Sequence, residues 1–164
     1  MQITVSQPPE ILKITGNIVF LAGPIQGALD WQKEAVAIFD KLEAKITIAN
    51  PRREYLDGEF VYEKQVDWET TNLRAASEQG VILFWLAAEH THNCDRAYAQ
   101  TTRFELAEWK IRHERDGVKV VIGIDEGFSN GRYIRRRISQ DCPDIRIQDS
   151  LEDTCKEAIR LLAT

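Results

Sequence analysis

Apolar residues in this chain come in unbroken runs separated by segments with helical spacing. The runs are Asn17–Gly23 (NIVFLAG), Ile46–Ala49, Gly80–Leu86, Val118–Ile124 and the shorter Ile145–Gln148. Runs without two-residue alternation read as strands buried on both faces. Between them, Asp30 caps a helix whose apolar residues Trp31, Ala35, Ile38, Phe39 and Leu42 share one side. A second helix is predicted over Phe60–Ser77, with Tyr62, Val66, Leu73 and Ala76 as its stripe, and a third over Thr101–Glu114. A weaker helical stretch covers about Asn130–Ser139. The last helix starts at Ser150, with Leu151, Cys155, Ala158, Ile159 and Leu162 facing inward. Residues 1–16 read as a lead-in ending at Gly16. Alternating strands and helices of this kind predict a single α/β domain over 1–164. It is doubly wound, a five-stranded parallel sheet of flavodoxin-like order 2-1-3-4-5 with helices on both faces.

Composition narrows the function classes. Lys+Arg 21 against Asp+Glu 26 leaves a net charge of −5, with no basic excess to hold a nucleic acid. No apolar run approaches the roughly 18–20 residues of a membrane span, and the N-terminus has no secretory pattern, so no membrane partner is expected. Three cysteines without CxxC spacing fit reduced thiols in a cytoplasmic protein.

In open parallel sheets ligands sit beyond the carboxyl ends of the strands, and the candidate chemistry falls there. Gly23-Pro24-Ile25-Gln26-Gly27 follows the first apolar run as a tight turn that is neither a dinucleotide fingerprint nor a P-loop. Thr102-Arg103-Phe104-Glu105 has capping-box spacing, which predicts Thr102 as the helix cap and Glu105 in the first turn. There the helix dipole and nearby N–H groups would hold the carboxylate ionised, suited to attack an electrophilic sugar carbon. Gln65, Glu69 and Asn72 form a polar line on the second helix. His90, His92, Cys94 and Asp95 sit in HTHNCD, a rival zinc signal, although a structural site wants four ligands and a catalytic one three plus water. No metal and no cofactor are expected.

Taken together, several motifs resemble the nucleoside 2-deoxyribosyltransferases and the related deoxynucleoside 5′-monophosphate N-glycosidases. They are Phe20–Gly27 with Asp30-Trp31-Gln32, Asn50-Pro51-Arg52-Arg53, Gln65–Glu69, and Val81–Leu86 leading to Phe104-Glu105-Leu106. The resemblance covers about residues 17–124 and implies that Glu105 is the nucleophile, forming a deoxyribosyl ester before the sugar passes to a second base. It implies a nucleoside or nucleotide as small-molecule partner, and a homo-oligomer. The chain departs from the family at Asn72, where an aspartate is common, and at Val19, where a tyrosine often orients the nucleophile. Glu69 or Asp95 could then supply the acid. Gly23, Pro24, Gln26, Asp30, Trp31, Arg53 and Trp85, with Asn72, are the candidate substrate contacts. Ala99–Arg103 replaces a glycine-rich approach, which favours a free nucleoside over a 5′-phosphate. Transfer of the sugar is the leading expectation. Hydrolysis by water, a non-catalytic sensing module and a zinc protein are the alternatives.

Overall fold

The computed structural model describes residues 3–164. Five strands, β1 (Thr4–Ser6), β2 (Ile18–Ala22), β3 (Thr47–Ala49), β4 (Gly80–Leu86) and β5 (Val120–Ile124), form one sheet in the order β1-β3-β2-β4-β5. Every pairing is parallel. The helices are α1 (Trp31–Lys41), α2 (Tyr62–Gln79), α3 (Gln100–Asp116), α4 (Gly131–Asp141) and α5 (Leu151–Leu162). Phe20, Ile82 and Phe84 face one way, onto Trp68 of α2, Leu106 and Trp109 of α3, and Ile138 of α4. Val19, Leu21 and Leu83 face the other way, onto Trp31 and Phe39 of α1 and onto Leu151 and Cys155 of α5. The doubly wound α/β fold expected from the apolar runs is the one observed. Sheet residues in β2 and β4 are buried on both faces, which is why their sequences show no alternation.

The fifth strand comes from the other end of the chain. The lead-in supplies β1, registered Thr4↔Thr47, Val5↔Ile48 and Ser6↔Ala49 on the outer edge of β3. The segment 145–148, expected as the edge beside β5, pairs only through the Gly123↔Gln148 bridge. Two hydrogen bonds hold it there, Gln148 N–H to Ile122 O and Ile124 N–H to Gln148 O. The reason is local. The bridge at Gln148 is followed at once by bends at Asp149 and Ser150 that lead into α5, so the pairing stops after one residue. The residues after β1 are fastened too: Arg53 donates to Pro8 O (2.8 Å), Gln7 to Arg52 O (2.7 Å) and Trp68 Nε1 to Glu10 O (3.0 Å).

At the carboxyl end of β2 the backbone of Gly23 lies directly against β4. A Cβ on Gly23 would collide with the Trp85 carbonyl oxygen and meet Trp31 Cζ2 at 2.7 Å. Neither a core backbone nor a buried indole gives way cheaply. Gly23→Ala is expected to cost about 3 kcal/mol. Thermal unfolding monitored by circular dichroism checks this, and a midpoint equal to the wild type's would contradict it.

Candidate active site

The three connections that leave the carboxyl ends of β2, β3 and β4 are tied to one another rather than left loose. Arg52, just after β3, donates Nη2 to the carbonyls of Ile25 (2.8 Å), Ala28 (3.2 Å) and Leu29 (3.2 Å), stitching its own loop to the one after β2. The backbone N–H groups of His90 and Thr91 both reach Gly27 O, at 2.7 and 3.0 Å. Tyr98 O–H donates to Ala87 O at 2.8 Å, closing the β4–α3 loop on itself. What these loops enclose, together with the first turns of α2 and α3, is a cavity of about 640 Å³. Phe20 and Ala22 of β2 line it from the sheet.

Glu105 opens into this cavity from α3. The helix begins earlier than its capping-box spacing suggests. Ala99 takes a left-handed conformation (φ 57°, ψ 32°) and caps no N–H with its side chain, and Gln100 is the first helical residue. Thr102 is therefore the third helical residue, 4% exposed, and Glu105 stands in the second turn. The expected reciprocal cap does not form, and the first-turn dipole is not what sets the charge of Glu105. Burial pushes its carboxyl up to about 8, and the nearby charges of Glu69 and Glu108 push the same way.

Glu69 lines the same cavity from α2. Burial raises its carboxyl also, partly offset by a hydrogen bond from Gln65 Nε2 at 2.8 Å. Both carboxyl groups therefore resist ionisation, and the charge of Glu69 adds to the resistance of Glu105.

The candidate residues divide by location. Gly23, Pro24, Gln26, Arg53, Glu69 and Glu105 all line the cavity. Asn72 does not: it lies 2% exposed against the sheet, its side-chain amide donating to Trp68 O (2.9 Å). Asp30 is spent on capping α1 through Lys33 N–H and on an ion pair with Arg52 at 3.7 Å. Trp31 is buried and donates Nε1 to Pro24 O (2.8 Å), so it supports the cavity wall from behind. Trp85 is buried in the core on the other side of the sheet. Asp95 is exposed in its loop, its backbone N–H on Asn93 Oδ1. Near it, His92 meets Glu89 at 3.1 Å and Cys94 is exposed. Among the described residues no three His, Cys, Asp or Glu side chains come together as a metal-binding group. Among the described residues no helix is long and apolar enough to cross a membrane.

Other residues reach the cavity without having been singled out as contacts: Tyr55, Phe60, Tyr62, Gln65, Arg96 and Tyr98. Gln65 carried a signal, being one turn before Glu69. Loop residues such as Tyr55 and Arg96 have no periodicity to betray them.

The raised carboxyl of Glu105 makes a stability prediction. The folded chain keeps this proton up to about pH 8, whereas its ordinary value is 4.5. The stabilising contribution is complete below pH 4.5 and is lost as pH rises through 8. Glu105→Gln is therefore expected to be more stable than wild type by roughly 2–4 kcal/mol at pH 9 and nearly equal to it at pH 4. Urea denaturation at both pH values measures it. Equal destabilisation at both would show that the ionised carboxylate is not under burial stress.

A model of the family described as nucleoside 2-deoxyribosyltransferase like matches residues 16–128. That span runs from just before β2 to just past β5 and contains every residue lining the cavity. No curated protein matches the chain. With more than half of its length matched, and with the cavity inside the match, the chain belongs to the nucleoside 2-deoxyribosyltransferase-like family.

Proposed function

We propose that the protein cleaves the N-glycosidic bond of a 2-deoxynucleoside and passes the sugar to a second base through an ester on Glu105. The observation that carries this reading is the pair of half-buried carboxyl groups, Glu105 and Glu69, lining one cavity and both pushed toward the protonated form by burial. Displacement at a sugar carbon needs both members of such a pair, one ionised to attack and one protonated to release the leaving group.

In the first step a carboxylate oxygen of Glu105 bonds to C1′ as the C1′–N bond breaks. The electron pair stays on the base nitrogen, which takes the proton held by Glu69. In the second step an incoming base nitrogen attacks C1′, the ester bond returns its pair to Glu105, and the proton lost by the incoming base goes to Glu69. Water in place of the second base makes the same sequence a hydrolysis. Tyr55, Phe60, Tyr62 and Tyr98 give the cavity aromatic surface for a nucleobase, the first two already in an edge-on contact at 5.3 Å. Gln26 adds an amide at the wall. The cavity size falls in the range of about 300–1,000 Å³ usual for small-molecule sites.

A second reading keeps the site and changes the substrate to a deoxynucleoside 5′-monophosphate. Arg53 and Arg96 both line the cavity and are exposed, and neither is paired with a carboxylate among the described residues. Guanidinium groups at a cavity wall without a carboxylate partner suit a phosphate.

Chromatography of a two-substrate reaction tests both. Thymidine or its 5′-monophosphate is incubated with adenine, using wild type and Glu105→Ala. The wild type is expected to form a new deoxynucleoside or nucleotide, with at least about 10³-fold loss in Glu105→Ala. Full activity in that variant would defeat the reading, and the ratio of kcat/KM for the two donors decides between them. The rate should also trace a bell against pH. Above about pH 8 both carboxyls are ionised and no acid remains, and at low pH both are protonated and no nucleophile remains. A kcat/KM still rising at pH 9.5 would contradict the need for a protonated carboxyl.

A further inference from the structure

The side-chain amide of Gln65 is held on three sides. Its Nε2 donates to Pro51 O (3.1 Å) and to Glu69 Oε1 (2.8 Å), and its Oε1 accepts from Tyr55 O–H (2.8 Å). The Pro51 carbonyl has no hydrogen to give, so it accepts only the NH₂ end of the amide. A flipped amide would set its oxygen against Pro51 O and against a carboxylate, acceptor on acceptor. The orientation is therefore dictated by the partners, and Tyr55 has to be the donor in its own contact.

We infer that Gln65 is a positioning residue that divides the labour between the two carboxyl groups: its clamped amide aims an N–H at Glu69, keeps Glu69 as the ionised member in the free site, and leaves Glu105 as the protonated one. A fixed N–H on a carboxylate oxygen favours the charged form of that carboxylate. Glu105 has Glu69 and Glu108 as charged neighbours, and both oppose its ionisation. The remaining charged or titratable groups at the cavity are Arg53 and Tyr55 after β3, Tyr62 of α2, and Arg96 and Tyr98 before α3. Arg53 sits over the Tyr55 ring at 5.5 Å, so its charge acts at the Tyr55 end of the clamp.

The consequence for turnover rests on the function proposed above. Before Glu105 attacks, its proton has to pass to Glu69, and the same Gln65 N–H then makes protonated Glu69 a stronger acid toward the leaving base. The proton placement itself does not rest on that reading, because it is a property of the free protein.

The test is a carboxyl titration by ¹³C NMR on glutamate-labelled protein, with Glu69→Gln and Glu105→Gln assigning the two signals. On lowering the pH from 9, wild-type Glu105 is expected to take up its proton first and Glu69 later. In Gln65→Met, of similar volume but without the N–H, the Glu69 titration should move up by about one pH unit. Tyr55→Phe, which loosens the clamp, should move it the same way by less. Where turnover is measurable, the acid limb of kcat/KM should move with it, a shift that loss of packing alone would not produce. Circular dichroism reports whether each variant folds, and Tyr55→Phe carries the test if Gln65→Met does not. Glu69 taking the first proton in wild type, or an unmoved Glu69 titration in the folded variants, would overturn the inference. If wild type shows no turnover, the proposed function fails and the titration order still decides this one.

Discussion

Two carboxyl groups lining one cavity, both pushed toward the neutral form by burial and Glu105 further by the charge of Glu69, are the constraint around which the structure is arranged. Glu105 reaches that cavity because α3 starts from a left-handed residue, Ala99, and so places its glutamate in the second turn beside buried Thr102. Glu69 reaches it from α2. Charges placed this way cost stability, and the cost is the usual companion of a site built for proton transfer. The parallel sheet supplies what offsets it, two faces of core in which β2 and β4 are buried along their full lengths.

The walls owe their rigidity to contacts made at or just behind the cavity lining. Trp31 holds Pro24 through its indole N–H, Gly23 leaves no room between itself and Trp85, and Asp30 joins Arg52 in tying the loops after β2 and β3. Gly27 O receives the β4–α3 loop through two N–H groups. Each of these contacts lies within a few residues of a cavity-lining side chain. Preorganisation of this kind is what a displacement reaction asks of its scaffold.

Much of this was legible before the fold was known, for a physical reason: strands buried on both faces leave unbroken apolar runs, and ligands collect where such strands end. The glycine turn after β2, Arg53, Glu69 and Glu105 all fall at those ends, and all line the cavity. The misreadings are equally physical. β1 is three residues of mixed polarity on an edge, with Val5 40% exposed, and leaves no run to read. The segment 145–148 looks like a strand but its pairing stops at Gln148, where bends lead into α5. The Thr102–Glu105 spacing mimics a capping box, while the true helix start depends on the backbone of Ala99, which the sequence does not encode in a recognisable pattern. Asn72, Trp31 and Trp85 have suitable chemistry but face the core, a choice made by tertiary packing. Tyr55 and Arg96 come from irregular loops.

A covalent bond between the sugar and Glu105 tests the account most directly. Wild-type protein mixed with a 2-deoxynucleoside is quenched in acid within a turnover, digested, and mapped by mass spectrometry. The account predicts a deoxyribosyl ester on the peptide containing Glu105, absent when the acceptor base is in excess long enough to discharge it. Turnover with no ester on any residue, or an ester on Glu69 in place of Glu105, would contradict it.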